Sequence, residues 1–341
     1  MRFIRPSLIL ATTLRCGVLL LVVFCSNAMA ESGWARRPSG TLAWLHAVYF
    51  VDQNHGWAVG SKGVLLKTGD GGLSWQQQRS PTEANLFDVQ FLDANNGWLV
   101  CEKNEYELKG QEPRSYLMTT GDGGKTWIRV DVKDLDPASR LLRAVFRSSG
   151  RGWIFGEAGT VYATQDAGMS WKKLVLQTHY LLLGGTFIDD DRGWLVGAGA
   201  TVMETSDGGE TWHRSAIDAP GTRFTAASFV DNRKGWAVGA AGAVYSTSNG
   251  GRTWIQQASG VTADLLDVKF LNQLEGWAAG AEGTLIHTTD GGQHWTTVPS
   301  GTTHPLERLF FVDGNHGWAV GFGGTVVAYG EVAPVKAPTL Q

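Results

Sequence analysis

Cysteine is nearly missing from this chain. The 341 residues hold three, at Cys16, Cys25 and Cys101, too few for the disulfide framework that staples small secreted folds. Long apolar runs are scarce too. The unbroken stretch from Gly17 to Phe24 spans eight residues, far short of the roughly twenty needed to cross a bilayer. Neither sign of charge dominates, with 29 Lys and Arg against 32 Asp and Glu and a formal net charge of −3. That balance excludes nucleic-acid or anionic-membrane binding through bulk charge. His46, His55, His179, His213, His287, His294, His304 and His316 are scattered, without metal-ligand spacing among themselves or with Cys101. No metal and no cofactor are therefore expected. The glycine pairs sit in turns and do not lead a strand into a helix, so they make no phosphate loop.

The sequence is rich in glycine, with 45, and in tryptophan, with 15, and both are ordered by repetition. An eight-residue pattern occurs six times: T-G-D-G-G-L-S-W ending at Trp75, T-G-D-G-G-K-T-W at Trp127, T-Q-D-A-G-M-S-W at Trp171, T-S-D-G-G-E-T-W at Trp212, T-S-N-G-G-R-T-W at Trp254 and T-T-D-G-G-Q-H-W at Trp295. A second signature, Gly-Trp, occurs seven times, at Trp57, Trp98, Trp153, Trp194, Trp236, Trp277 and Trp318, with intervals of 41, 55, 41, 42, 41 and 41. A period near 41 with four strand signals per repeat predicts an all-β, seven-bladed β-propeller of four-stranded blades. In the second repeat the expected strands are a at Leu86 to Leu92, b at Gly97 to Val100, c near Tyr116 to Thr120 and d at Thr126 to Val130.

Six eight-residue motifs against seven Gly-Trp signatures leave one blade short, and the chain ends supply the remainder. The last repeat runs through Gly324 to Tyr329 as strand c and then stops, whereas Gly33 to Gly40 reads as an orphan strand d, with Trp34 lying 41 residues before Trp75. The N-terminal strand is thus expected to close the last blade, leaving no open sheet edge.

Residues 1–30 open with Arg2 and Arg5 and close on Ala28-Met29-Ala30, the pattern of a cleaved secretory signal peptide. The mature propeller is expected over 31–330, with a tail at 331–341. Without Arg2, Arg5 and Arg15 the balance becomes 26 basic against 32 acidic residues, or −6, and Cys101 is the one cysteine left.

Departures from the period mark two insertions, one b to c loop near Glu102 to Ser115 carrying Tyr106, and one d to a loop near Asp131 to Arg140. Both are expected on one face of the ring, where functional loops gather. Counting ten and eight residues back from each Gly-Trp tryptophan names the channel-facing side chains of strand a. These are Ala47 and Tyr49, Asp88 and Gln90, Arg143 and Val145, Gly184 and Thr186, Ala226 and Ser228, Asp267 and Lys269, Arg308 and Phe310. Two acids and three bases are expected to project toward one axis, and Arg143, Arg308, Asp88, Asp267 and Lys269 are the candidate partner-binding residues. A cationic patch is also readable from Arg37, Arg79, Arg140, Arg143, Arg214, Arg223 and Arg308.

The eight-residue motif resembles the Asp-box, or bacterial neuraminidase repeat. Its Asp closes a turn and its Trp packs between blades. On that reading Asp70, Trp75, Asp122, Trp127, Asp166, Trp171, Asp207, Trp212, Asn249, Trp254, Asp290, Trp295 and Trp34 are structural and not catalytic. Sialidases, which also carry Asp-boxes, need an R-I-P element that does not occur here. Together with the closing N-terminal strand, stretches such as Gly56-Trp57-Ala58-Val59-Gly60 and Gly283 to Trp295 resemble the photosystem II stability and assembly factor family of plants and cyanobacteria. That resemblance implies an exported, non-enzymatic scaffold. It would bind a membrane protein or membrane protein complex through one face, in the periplasm or, in a photosynthetic host, in the thylakoid lumen. The alternative is an exported Asp-box glycoside hydrolase, which requires converging carboxylates.

Overall fold

The computed structural model describes residues 32–104, 108 and 112–331. The expected leader, Tyr106 and the tail beyond Glu331 lie outside the described residues.

Seven four-stranded antiparallel sheets form the ring. The innermost strands, a, are Leu45–Phe50, Asn85–Phe91, Leu141–Phe146, Leu182–Phe187, Phe224–Phe229, Leu265–Phe270 and Leu306–Asp313. In the second blade b is Gly97–Glu102, c is Ser115–Thr120 and d is Ile128–Val130. Strand d starts two residues later than expected. The Thr126 amide and hydroxyl are held by Asp122 and so stay in the turn instead of the ladder.

The ring closes as the orphan strand predicts. Ser32–Arg37 pairs antiparallel with Thr325–Glu331, placing Trp34 opposite Tyr329 and Arg37 opposite Val326. Strand c of this blade therefore runs to Glu331, one residue past the expected domain boundary.

One aromatic unit joins each blade to the next and explains the Gly-Trp signature. Trp57 lies flat on Phe91 of the following blade at 3.7 Å, and Trp127 meets the same ring edge-on at 6.1 Å. The arrangement recurs around Phe146, Phe187, Phe229, Phe270 and Phe50. Each aromatic pair contributes about 0.5–1.5 kcal/mol beyond its buried area. Glycine precedes the Trp because Phe50 covers that backbone: a Cβ on Gly56 would sit 2.6 Å from the ring.

The closing blade keeps this unit in a looser form, with Trp277 near-parallel to Phe311 but 6.0 Å from it. Trp34 occupies the seventh edge-on position, 5.8 Å from Phe311. The tryptophans Trp153, Trp194, Trp236 and Trp318 each donate Nε1–H to a glycine carbonyl in a neighbouring eight-residue motif. The blade after Trp277 has no such motif. Trp277 instead stacks on His287 at 3.8 Å and meets Trp34 at 5.6 Å.

Within the motif, Asp122 accepts from the Thr126 amide at 2.9 Å, the Thr126 hydroxyl at 2.6 Å and the Thr120 hydroxyl at 2.8 Å. Thr120, itself buried, accepts from the Gly124 amide at 3.0 Å. These donors hold the Asp122 carboxyl at about 2, the Thr126 hydroxyl contributing most. Gly123 and Gly124 supply the positive φ that the turn requires. Asn249 closes the fifth copy by accepting the Thr253 amide with Oδ1 and donating Nδ2–H to the Thr253 hydroxyl.

Candidate binding face and channel

The two faces of the ring are set by which turns lie together. The a to b and c to d turns share one face, where the Gly71 amide bonds the Asn54 carbonyl. The b to c and d to a connections share the other, where the Ser61 amide bonds the Trp44 carbonyl. Both insertions lie on that second face, and the structure stitches them together. The Arg114 amide donates to the Pro137 carbonyl at 3.0 Å and the Leu141 amide to the Ser115 hydroxyl at 2.9 Å. Glu102, buried at the root of the first insertion, receives Arg114 Nε at 2.6 Å and Arg140 Nη2 at 3.0 Å.

Strand a bulges in every blade, always between the positions twelve and ten before the Gly-Trp tryptophan. A bulge adds a residue and re-aims its side chain. The bulged residues are His46, Phe87, Leu142, Leu183, Thr225, Leu266 and Glu307. His46 and Glu307, from adjacent blades, form a 2.7 Å contact through Nδ1 and Oε2.

His46 also belongs to a continuous series of rings over three blades. His304 meets Phe322 at 5.5 Å, Phe322 meets Trp44 at 5.4 Å, Trp44 meets His46 at 5.6 Å, and His46 stacks on Phe87 at 4.8 Å. The Arg140 guanidinium covers Phe87 at 5.3 Å. Trp44 is 39% exposed, Phe322 46% and the adjacent Leu42 88%. Clustered exposed aromatics of this kind mark interaction surfaces. Sequence counting missed this ridge, because Trp44 and Phe322 stand outside the repeated signatures. The available signal was an aromatic where the other repeats carry none: Trp44 stands where they have Asn85, Arg140, Leu181, Arg223, Asp264 and Pro305, and Phe322 where they have Ser, Glu or Ala.

Below the mouth, the strand a register places the expected side chains in the channel, except that Ala47 packs into the core with Trp57, Leu65 and Leu86. A cavity of about 370 Å³ is lined by Tyr49, Asp88, Gln90, Arg143, Val145, Gly184, Thr186, Ala226, Ser228, Asp267, Lys269, Arg308 and Phe310 among others. The expectation of freely projecting acids is corrected by their hydrogen bonds. Asp88, 4% exposed, accepts the Val89 amide at 3.0 Å and reaches sideways to the Ala144 amide of the next blade at 2.9 Å. Asp267, 7% exposed, does the same with the Val268 amide at 2.9 Å and the Leu309 amide at 2.8 Å. Both carboxylates therefore tie neighbouring innermost strands. Two buried amide donors otherwise left without partners at the channel wall explain the geometry.

The cations are less completely used. Arg143 donates Nη1–H to the Phe87 carbonyl at 3.0 Å, and Arg308 Nη1 lies 3.7 Å from Asp267 Oδ2. Arg143 Nε and Arg308 Nε and Nη2 are buried without a protein acceptor among the described residues. Burial first, then the charge of Arg308, pulls the Arg143 guanidinium down to about 10, still cationic at neutral pH. Burial pushes the Asp88 carboxyl up, opposed by Arg308 and Arg143. Lys269 reaches the channel lumen yet is ringed by protein, and that desolvation lowers its pKa against the pull of Asp267.

The wider arginine patch does not assemble. Arg140 pairs with Glu102 and Glu157, Arg223 with Asp264, and Arg214 bonds the Gly199 carbonyl beside Tyr180. Arg37 lines a groove with Gln53, Asn54, Asp70 and His316, residues of the a to b and c to d turns. Arg79 is exposed. Cys101 is buried as a free thiol, and burial pushes its pKa up. Among the described residues no helix is long and apolar enough to cross a membrane, and no cluster of His, Cys, Asp and Glu has the makings of a metal site.

The model of the photosynthesis system II assembly factor YCF48 family matches residues 26–81, 73–182, 174–262 and 255–330. Among solved structures, YCF48 bound to D1 peptide is similar at 21% identity and a TM-score of 0.73, over 89% of this chain and 96% of that one. YCF48 from Cyanidioschyzon merolae is similar at 21% identity and a TM-score of 0.72, over 87% and 99%. A GH74 xyloglucanase from Xanthomonas campestris is more distant, at 15% identity and a TM-score of 0.66, over 86% of this chain and 53% of the enzyme. At such identities these likenesses establish the fold alone. No curated protein matches the sequence.

Proposed function

Because this chain belongs to the photosynthesis system II assembly factor YCF48 family, we propose that it is an exported, non-enzymatic scaffold that holds a segment of a membrane protein during assembly of its complex. The observation that carries this reading is the aromatic ridge from His304 to Phe87 at the channel mouth. Rigid exposed aromatics bind extended partners at low entropic cost and dominate interface energetics. The two insertions buttress one end of the ridge through Arg140. Arg143, Arg308 and Lys269, with Asp88 and Asp267 fixing the wall behind them, form the polar floor that a docked segment meets.

The relative solved with a D1 peptide favours a membrane-protein partner. A hydrolase reading finds less support in the channel. A glycosidase needs one carboxylic acid and one carboxylate free to reach the scissile bond, and both channel carboxyls already accept two backbone amides each.

The test is capture from solubilised membranes of the protein's own host by the tagged protein, with bound proteins identified by mass spectrometry. The unmodified protein is expected to retain a discrete membrane complex, and the variant carrying Arg143→Glu and Arg308→Glu to lose it. Equal recovery by both proteins would refute the role of the channel, and no recovery by either would refute the scaffold.

A further inference from the structure

Five charged side chains line the channel, and they do not balance. Arg143, Lys269 and Arg308 face Asp88 and Asp267 around one cavity. The residues ten before each Gly-Trp tryptophan alternate in a way that concentrates this charge. Asp88 and Arg143 stand on consecutive blades, as do Asp267 and Arg308, while Gly184 and Ala226 on the blades between Arg143 and Asp267 leave space open. Each Asp turns aside to the amide following the next blade's Arg, so its charge is partly committed to the wall. The Arg308 guanidinium gains only a 3.7 Å approach to Asp267, and two of its nitrogens have no protein acceptor among the described residues. The charge of Arg308 weighs against that of Arg143, and Lys269 shares Asp267 with Arg308.

Two guanidiniums with buried, unpaired nitrogens beside an ammonium that opens to the same lumen are a costly arrangement unless an anion joins them. The lining fits a small, multiply charged oxyanion. Guanidinium forks match the edges of phosphate or sulfate, an ammonium adds a point charge, and Tyr49, Thr186 and Ser228 supply neutral hydroxyls. We propose that the channel is a binding site for a small dianionic oxyanion of the phosphate or sulfate class, held between Arg143, Lys269 and Arg308. Such an ion would neutralise the inner wall and tie blades 3, 6 and 7 together across the axis. The site concerns the same channel as the partner reading but does not depend on it, since the purified chain alone should bind the ion.

The experiment is calorimetric titration of the purified protein with inorganic phosphate, in a buffer free of other oxyanions and with ionic strength held constant by chloride. Arg308→Met, Lys269→Met and the surface variant Arg223→Met are compared with the unmodified protein. Saturable one-site binding is expected, weakened about tenfold or more by Arg308→Met and several-fold by Lys269→Met, and changed less than about twofold by Arg223→Met. If Arg308→Met does not fold, Lys269→Met carries the test alone. Glycerol phosphate and phosphatidylglycerol vesicles separate a free ion from a lipid headgroup. Binding to vesicles without binding to inorganic phosphate would overturn the proposal. Acetate binding as tightly as phosphate, no saturable phosphate binding, or binding unchanged in Lys269→Met would each overturn it too. Loss of phosphate binding alongside intact capture of a membrane complex would leave the scaffold reading standing, and the reverse result would leave the ion site standing.

Discussion

On the face carrying the eight-residue motifs, Asp70 and Asp122 are each surrounded by donors from their own turn, the Ser74 and Thr126 hydroxyls first among them, and both are held at about 2. At the opposite face and the channel below it, Arg143 and Arg308 have too few acceptors and Trp44, Phe322 and Leu42 lie open to solvent. Both regions rest on the same blades. The difference lies in where the repeat supplies a partner for each polar group and where it does not. A turn that satisfies itself builds the scaffold, whereas a surface left with unmatched charge and apolar area can act on another molecule.

The comparison presupposes an intact ring, so the most disruptive change is to open it. Deleting 32–40 removes strand d of the closing blade and with it Trp34, which touches Trp277, Phe311 and Tyr329. That deletion should abolish the cooperative thermal transition, and Trp34→Ala should cost about 3–5 kcal/mol, measured by chemical denaturation. A truncated protein that melts like the intact one would remove the closure argument.

Substitution within a single motif should affect stability and leave partner capture alone. Thr120→Val removes a buried hydroxyl that donates to Asp122 and accepts from the Gly124 amide. A cost of about 1–2 kcal/mol is expected in denaturant melts, with unchanged recovery of the membrane complex. Lost recovery at unchanged stability would mean that the turn face binds as well.

Acid should also distinguish the two regions. Because Asp70 and Asp122 titrate at about 2 when folded and near the ordinary carboxylate value when unfolded, their contribution is complete above about pH 4. It falls away as pH drops toward 2. Converting Asp70 and Asp122 to Asn, as Asn249 already stands in the fifth copy, should flatten the decline of melting temperature between pH 4 and pH 2. An unchanged acid limb would show that other groups control it.

The smallest effect should come from the third motif. Ala167 occupies a turn position at φ 56°, in the left-handed region where the other five copies carry glycine. Ala167→Gly should stabilise the protein by about 0.5–1 kcal/mol by relieving that strain, offset in part by the entropy of glycine.

How far the sequence foretold these regions follows from repetition. Strand order, seven blades and closure by Trp34 were legible because Gly-Trp and the eight-residue motif recur at a fixed interval, and the strand a register followed from the same count. The ridge was not legible. Trp44 and Phe322 are aromatics that the matching positions of the other repeats do not carry, and the bulge that sets His46 and Phe87 side by side leaves no mark in an alternation pattern. The sideways turn of Asp88 and Asp267 was hidden for a related reason. A period of two assigns a face, but it does not say that an unpaired amide on the next blade will capture the carboxylate.

The central claim is that the ridge face, and not the motif face, receives a membrane-protein segment. The most direct measurement places a photo-crosslinking amino acid at Trp44 or at Met169, which is 83% exposed within the third motif, and irradiates each protein with host membranes. A single membrane-protein adduct is expected from position 44 and none from position 169. Adducts of the same protein from position 169 alone would contradict the claim.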